Sequence, residues 1–405
     1  MNELDSVVIA GGGLAGATAA FALRQRGFEG RLTLVSEETT PPYERPPLSK
    51  AYLRGESTLE QAQVRPLTDY DAHGIELLRG RRAVTLDPTI RQLNLDDGTN
   101  LTYDALLIAT GAAPRQLEPT PGSLPGVHYL RNAEDADAIR SAAASASKIA
   151  VIGGGWVGSE VAASLRQLGH EVTLISNSRP LERVLGPEVA EVYRQLHAEH
   201  GVRLVQGRVS SIEGTRSVDE IRLTDGHGVP ADLVVIGVGA VARLQLAMRG
   251  GLETTEGGIA VDEYLRTSVP NIYAAGDVAA AWHPRFGRHI RVEHWDNAIR
   301  QGKAAAGNIL GANEPYARTP YFYSDQFDLG MEYRGYAPGW GKVVVRGDVA
   351  KREFLAFWLA DDRVIAAMNA NVWDQGDELR RLLESEERVD LARLANPFVP
   401  LADAA

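Results

Sequence analysis

Two stretches of this chain place glycines where a dinucleotide pyrophosphate needs bare backbone: Gly11-Gly12-Gly13-Leu14-Ala15-Gly16 and Gly153-Gly154-Gly155-Trp156-Val157-Gly158. Each follows an apolar run, Val7-Val8-Ile9-Ala10 or Ile149-Ala150-Val151-Ile152, and leads into an alanine-rich helical stretch. That setting raises G-x-G-x-x-G well above a chance match. In the first copy, Gly11 makes the tight turn, Gly13 lets backbone approach the phosphates, and Gly16 lets the helix pack closely on the strand. The phosphates then meet the N–H groups and positive dipole end of a helix that begins near Leu14. One such site holds one dinucleotide, so two imply a flavoprotein that keeps FAD in the first and receives a nicotinamide dinucleotide at the second.

The strand after each helix separates the two copies. Arg31-Leu32-Thr33-Leu34-Val35-Ser36 ends at Glu37, whose carboxylate can accept hydrogen bonds from an adenosine ribose. Glu171-Val172-Thr173-Leu174-Ile175 ends instead in Ser176-Asn177-Ser178-Arg179, with no acid. A carboxylate there favours NADH and repels a 2′-phosphate, whereas small polar residues and an arginine accept one. NADH and NADPH therefore both stay open, the alternative being that Arg179 faces solvent.

The elements that must carry these sites repeat. Residues 101–111 read as a strand closing the first unit, with Ala109, Thr110 and Gly111 bringing backbone close to a cofactor, and residues 232–239 close the second at Gly239. The proline- and glycine-rich segment Pro114 to Gly126 reads as a crossover linker. Asn271 to Asp277 is another strand ending in a glycine turn and an acid, which returns the chain to the first domain. Beyond Arg318, residues 341–347, 353–359 and 363–368 read as three strands, followed by helices in the charged stretch near Asp377 to Leu394. The expected fold is α/β: two Rossmann-like dinucleotide-binding domains in a glutathione-reductase-like arrangement, plus a small C-terminal α+β domain. The expected boundaries are 1–112 with 242–317 for FAD, 113–241 for NAD(P)H, and 318–405 for the third domain.

Composition excludes several classes. With 405 residues, 44% hydrophobic and 23% charged, the chain reads as a soluble protein of two or three domains. It lacks an 18-residue apolar run, and its first strand begins within a few residues of the N-terminus, so a cytoplasmic protein is expected. A net charge of −11 argues against nonspecific nucleic-acid binding. The count of zero cysteines rules out a redox-active disulfide, a reactive flavin-side thiol and a cysteine-held iron–sulfur cluster. The 9 histidines have no metal-ligand spacing, so no metal is expected. Electrons must leave the flavin directly for something that comes to it.

Several longer motifs, in order, carry a resemblance: Pro42-Tyr43-Glu44-Arg45-Pro46-Pro47-Leu48-Ser49-Lys50, Ala109-Thr110-Gly111, Ala275-Gly276-Asp277, Arg291-Val292-Glu293-His294-Trp295-Asp296-Asn297-Ala298, and Tyr323-Ser324-Asp325-Gln326. Over nearly its whole length the chain resembles the FAD-dependent ferredoxin reductases of bacterial cytochrome P450 and aromatic-ring dioxygenase systems. The resemblance implies that Ala15 and Glu37 hold the adenosine end of FAD, with Ala83 backbone near the adenine and Arg131 at the pyrophosphate. It also implies Asp277 at the ribityl chain and, from the Glu293–Trp295 stretch, Trp295 at the isoalloxazine edge. Lys50 would lie beside the reactive flavin nitrogen, paired with Glu160, so that a buried cation stabilises the reduced ring without being an isolated charge. Three positions depart from the family pattern. Ser176 replaces the acid, Ala242-Arg243 replaces a proline and an asparagine, which predicts a differently shaped loop, and Tyr323 replaces a tryptophan.

The implied chemistry is two-electron reduction by NADH or NADPH and one-electron delivery to an iron–sulfur ferredoxin. Arg285, Arg288, Arg291, Arg300 and Lys303 crowd one stretch of an acidic chain and are candidates for steering an acidic ferredoxin, with Lys303 foremost. The resemblance favours a monomer or weak dimer. Two other function classes share the fold: a free-standing NAD(P)H oxidase or quinone reductase, and a redox-switched binding flavoprotein of the apoptosis-inducing-factor kind. A membrane dehydrogenase would need an amphipathic anchor, which the acidic stretch from Leu383 to Ala405 does not resemble. Trp340, Trp358 and Trp373 are expected in the core of the third domain.

Overall fold

The computed structural model describes residues 4–118 and 124–404. Residues 119–123 of the expected linker lie outside the described residues. By backbone proximity the chain divides into two compact units. One comprises Met1–Arg45, Thr58–Ala113 and Ala240–Arg318, and the other Pro46–Ser57, Pro114–Gly239 and Thr319–Ala405. The segment Pro46–Ser57, read from sequence as part of the first domain, thus clusters with the second unit.

The first unit is built on a parallel sheet ordered Ile272–Ala274, Ala105–Ile108, Ser6–Ala10, Arg31–Ser36, Ile75–Arg79. Val7 to Ala10 and Ala105 to Ile108 are buried throughout, as strands covered on both faces must be. The helix Leu14–Gln25 covers this sheet with a mostly small-residue face that buries Ala15, Gly16, Ala17, Ala19, Ala20 and Ala22. Small side chains let it pack tightly against the helix Trp295–Ile309, and a Cβ added to Gly302 would overlap the Ala15 carbonyl. The strand expected over 101–111 is divided into Asn100–Thr102 and Ala105–Ile108. The cause is Asp104, whose carboxylate accepts hydrogen bonds from the backbone N–H and the hydroxyl of Ser6, both at 2.9 Å, and turns the chain between the two strands.

The second unit repeats the plan, with parallel strands ordered Arg203–Gln206, Glu171–Ser176, Lys148–Ile152, Leu233–Ile236, Val127–Tyr129. Its C-terminal part is an antiparallel sheet of five strands, ordered Tyr321–Gln326, Leu329–Gly335, Arg363–Ala370, Glu353–Ala360, Lys342–Asp348. Three correspond to the sequence reading, whereas the hairpin Tyr321–Gly335 is an addition to it. Glu353–Ala360 is buried on both faces because one packs on the helix Glu182–Glu199 and the other on Gly376–Ser385. Trp358 is fully buried and donates its indole N–H to the Leu185 carbonyl at 3.1 Å. Trp373 corrects the expectation of a core tryptophan: it is 53% exposed. No helix among the described residues is long and apolar enough to cross a membrane.

Candidate functional sites

In the first unit the fingerprint folds into a cradle. Gly11 takes φ +127°, a conformation that side chains resist, and a Cβ there would overlap the Ala109 carbonyl. Gly16 is equally constrained, since its Cβ would overlap the Gly11 carbonyl. Gly13 caps the helix with no side chain, and a Cβ on it would meet nothing within 4 Å. Bare backbone beside open space at a helix N-terminus, with no acid in the first turn, fits a pyrophosphate. Leu14 and Ala15 open that helix, and Thr110 and Gly111 follow the buried strand beside it. Ala83 begins a strand, Ala83–Asp87, that packs on the same core.

A second group gathers around Asp277. The preceding Gly276 has φ +80° and donates its N–H to the buried Gln301 carboxamide at 2.8 Å. Arg291 reaches the Asp277 carbonyl at 3.2 Å and pairs with Glu293. Arg45 pairs with Glu38 at 2.7 Å and lies within electrostatic reach of Asp277. Trp295, the first residue of its helix, is held by Glu44, whose carboxyl is pushed up by burial and partly restored by the Trp295 hydrogen bond. Burial pushes His294 down to about 4, which keeps it neutral. Glu44 and Arg45, from the motif beginning at Pro42, thus meet the residues around Asp277. Gln301 and Gly302 escaped the sequence reading, although a polar residue and a glycine side by side on an alanine-rich helix were the available signal.

The candidate docking cations are mostly neutralised. Arg288 pairs with Glu256 at 3.1 Å, Arg300 with Asp296 at 3.1 Å, and Arg291 with Glu293. Lys303 is exposed on Trp295–Ile309 and forms no ion pair with any described residue.

The second unit carries the other cradle. Gly153 takes φ +117°, a Cβ on Gly158 would overlap the Gly153 carbonyl, and one on Gly155 would meet nothing within 4 Å. Gly239, at φ +110°, accepts the Arg115 N–H at 2.9 Å through its carbonyl. At the end of Glu171–Ser176, the Ser176 hydroxyl turns back to the Ser178 carbonyl. Arg179 lies 3.8 Å from Glu191, and its backbone N–H is taken by Glu182 at 3.0 Å. Glu191 is held down to about 2, mainly by hydrogen bonds from Arg194. Arg131 belongs to this unit, just ahead of the helix Ala133–Ala143, and its backbone N–H is bound by Asp135 at 2.8 Å.

Also in this unit, the turn Pro46–Ser49 delivers Lys50 to Glu160, on the helix Trp156–Gln167, at 3.0 Å. Glu160 is 6% exposed, and both its oxygens are engaged: Oε2 accepts from the Ser49 hydroxyl at 2.5 Å and Oε1 from Ser324 at 2.7 Å. Gln326 donates to Ser324 at 3.3 Å and bonds the fully buried His197 at 2.9 Å. Lys50 also meets the Pro46 carbonyl at 3.3 Å and stands 5.6 Å from the Tyr323 ring centre. Burial and the neighbouring Glu160 raise the Asp325 carboxyl, against a lowering pull from Lys50. Such a pair persists in a buried setting because both carboxylate oxygens have hydrogen-bond partners. The sequence reading named Lys50 and Glu160 but missed the part played by Ser49, Ser324 and His197, since nothing local brings residues of such separation together.

The comparisons with known proteins follow this geometry. The pyridine nucleotide-disulphide oxidoreductase pattern matches residues 5–302, and the reductase C-terminal pattern matches residues 321–405. Putidaredoxin reductase of Pseudomonas putida is 37% identical over 413 aligned residues, covering 100% of this chain and 97% of that protein. The ferredoxin reductase subunit of the 5,5′-dehydrodivanillate O-demethylase of Sphingobium is 40% identical over 410 residues, covering 100% and 98%. Among solved structures, the covalent complex of putidaredoxin reductase with putidaredoxin superposes with a TM-score of 0.93 at 36% identity, covering 100% of this chain and 98% of that one.

Proposed function

This chain belongs to the pyridine nucleotide-disulphide oxidoreductase family, and from that premise we propose that it is an NAD(P)H-dependent ferredoxin reductase serving a cytochrome P450 or ring-hydroxylating oxygenase. The observation that carries the reading is the combination of two complete dinucleotide cradles with a chain of zero cysteines. Disulfide chemistry, which the family is named for, is closed to it, so electrons go to a separate acceptor.

Bound FAD supplies a centre that takes two electrons from a nicotinamide and releases them singly. The chain's residues do the rest. Gly11, Gly13 and Gly16 would admit the FAD pyrophosphate, Glu37 would accept from its ribose, and Asp277 would take its ribityl hydroxyls. Gly153, Gly155 and Gly158 admit the nicotinamide dinucleotide. Lys50 is assigned to the negative charge of the reduced ring, held ready by Glu160, Ser49 and Ser324. Lys303 is assigned to ferredoxin docking, because the arginines beside it are already neutralised by carboxylates.

Stopped-flow reduction of the holoprotein by NADH and by NADPH, followed by cytochrome c reduction with and without a two-iron ferredoxin, tests the reading. Rapid bleaching with ferredoxin-dependent cytochrome c reduction is expected. Lys303→Glu should slow the second step at low salt and leave the first unchanged. Rapid turnover on oxygen or quinone with no gain from ferredoxin would replace the reading with that of an oxidase or quinone reductase.

A further inference from the structure

Arg243 stands where the family pattern calls for an asparagine, and its surroundings explain what the replacement does. Its backbone is pinned: the N–H donates to the Gly111 carbonyl at 2.9 Å, and its carbonyl accepts the Thr110 hydroxyl at 3.1 Å. Its neighbours Ala242 and Leu244 pack against the core of the first unit. The side chain therefore leaves a fixed point beside the Ala109–Gly111 turn, and its guanidinium forms an ion pair with Glu37 through Oε2. Glu37 itself follows directly on Ser36, whose side chain sits so close to Gly12 that a Cβ there would overlap it. The glycine turn, the Ala109–Gly111 turn and the Glu37–Arg243 pair thus converge on one end of the cradle.

We infer that Arg243 is an FAD-binding residue of this chain: it clasps the Glu37 carboxylate at the adenosine end of the cofactor. The inference rests on the assignment of Glu37 to the FAD ribose. A carboxylate beside a pyrophosphate carries an electrostatic cost, because both are anionic. The guanidinium offsets that cost and fixes one carboxylate oxygen, which leaves Oε1 to accept the ribose hydroxyls. An asparagine at this position would supply a hydrogen bond and no charge.

The experiment follows FAD release from the holoprotein by the rise in flavin fluorescence on dilution, in wild type, Arg243→Asn, Arg243→Lys, Glu37→Gln and the double variant Glu37→Gln/Arg243→Asn. Arg243→Asn should release FAD about three- to fivefold faster, the upper range of a partly exposed ion pair. Arg243→Lys, which keeps the charge, should recover most of the loss, and the double variant should release FAD no faster than Glu37→Gln alone. Release from Arg243→Asn within twofold of wild type, with Glu37→Gln clearly faster, overturns the clasp and leaves Glu37 at the ribose. Unchanged release from both single variants overturns the ribose assignment and the clasp with it. Losses that simply multiply in the double variant also overturn the clasp, because they make the two residues independent.

Discussion

The two cradles of this chain share a backbone and differ in their charges. Gly13 and Gly155 cap their helices at φ −81°, ψ −174° and φ −82°, ψ −176°, and in both copies the third motif glycine lies against the carbonyl of the first. The residue after the next strand then parts them. The first copy offers Glu37, tied to Arg243, whereas the second offers Asn177; Ser176, which ends the second strand, matches Ser36 of the first, and both hydroxyls turn back to the carbonyl two residues on. Backbone geometry repeats in the two copies, and the charge at the strand end is where they differ. The units also place their ion pairs differently, with Glu37–Arg243 roughly half exposed and Lys50–Glu160 buried. An exposed pair tunes binding by about 1 kcal/mol or less, while a buried one is costly to break from one side.

The largest expected effect tests that contrast. Lys50→Met leaves the Glu160 carboxylate buried with only hydroxyl partners and should lower unfolding stability by about 3 kcal/mol or more in denaturant titration. Adding Glu160→Gln should restore most of it, and a small loss in Lys50→Met would show that the pair is better solvated than its burial suggests. Next comes the shared backbone. Gly158→Val should weaken flavin reduction by NAD(P)H about 10- to 100-fold while the protein stays yellow, whereas Gly16→Val should lose FAD, measured as the absorbance ratio of flavin to protein. If both variants fail in the same way, the division of labour between the cradles is wrong.

Two histidines, His294 in the first unit and His197 in the second, are pushed down to about 4 by burial. Unfolded histidine titrates near 6.5, so between these values the unfolded chain binds more protons than the folded one. Stability is therefore full above about pH 6.5 and falls as the pH drops toward 4, by on the order of 2 kcal/mol per histidine at pH 5. Denaturation midpoints at pH 7.5 and 5 should show this loss, and His197→Gln should remove about half of its slope. The smallest effect gives the second cradle the strand-end acid of the family pattern. Ser176→Glu should shift the ratio of kcat/KM for NADH over NADPH toward NADH by about fivefold, and an unchanged ratio would locate nucleotide choice elsewhere, with Arg179 or Glu182 as the next residues to vary.

Much of the fold was legible because its signals are local. Glycine spacing, apolar runs and the small residues of Leu14–Gln25 give strand, turn and helix without reference to the rest of the chain. The hairpin Tyr321–Gly335 was missed because polar residues interrupt it. Its strand Leu329–Gly335 alternates buried and half-buried positions, and its pairing partner Arg363–Ala370 is far along the sequence. Trp373 was misplaced for the complementary reason: an aromatic residue is apolar by type, but exposure depends on what the chain lays over it.

The sequence by itself determined the two phosphate cradles, the lack of any thiol chemistry and the pairing of Lys50 with Glu160 that the resemblance implied. The cradles and the missing thiol rest on residue type and short spacing, which tertiary packing leaves intact, whereas the Lys50–Glu160 pairing joins residues far apart and came from the resemblance alone. Only the tertiary structure decided that Ser49 and Ser324 divide the two oxygens of Glu160, that Gln301 holds the turn before Asp277, that Arg243 reaches Glu37, and that Lys303 has no ion pair among the described residues while its neighbours are neutralised. These are contacts between residues remote in sequence, and a charge or hydroxyl takes its role from the partner that folding brings to it.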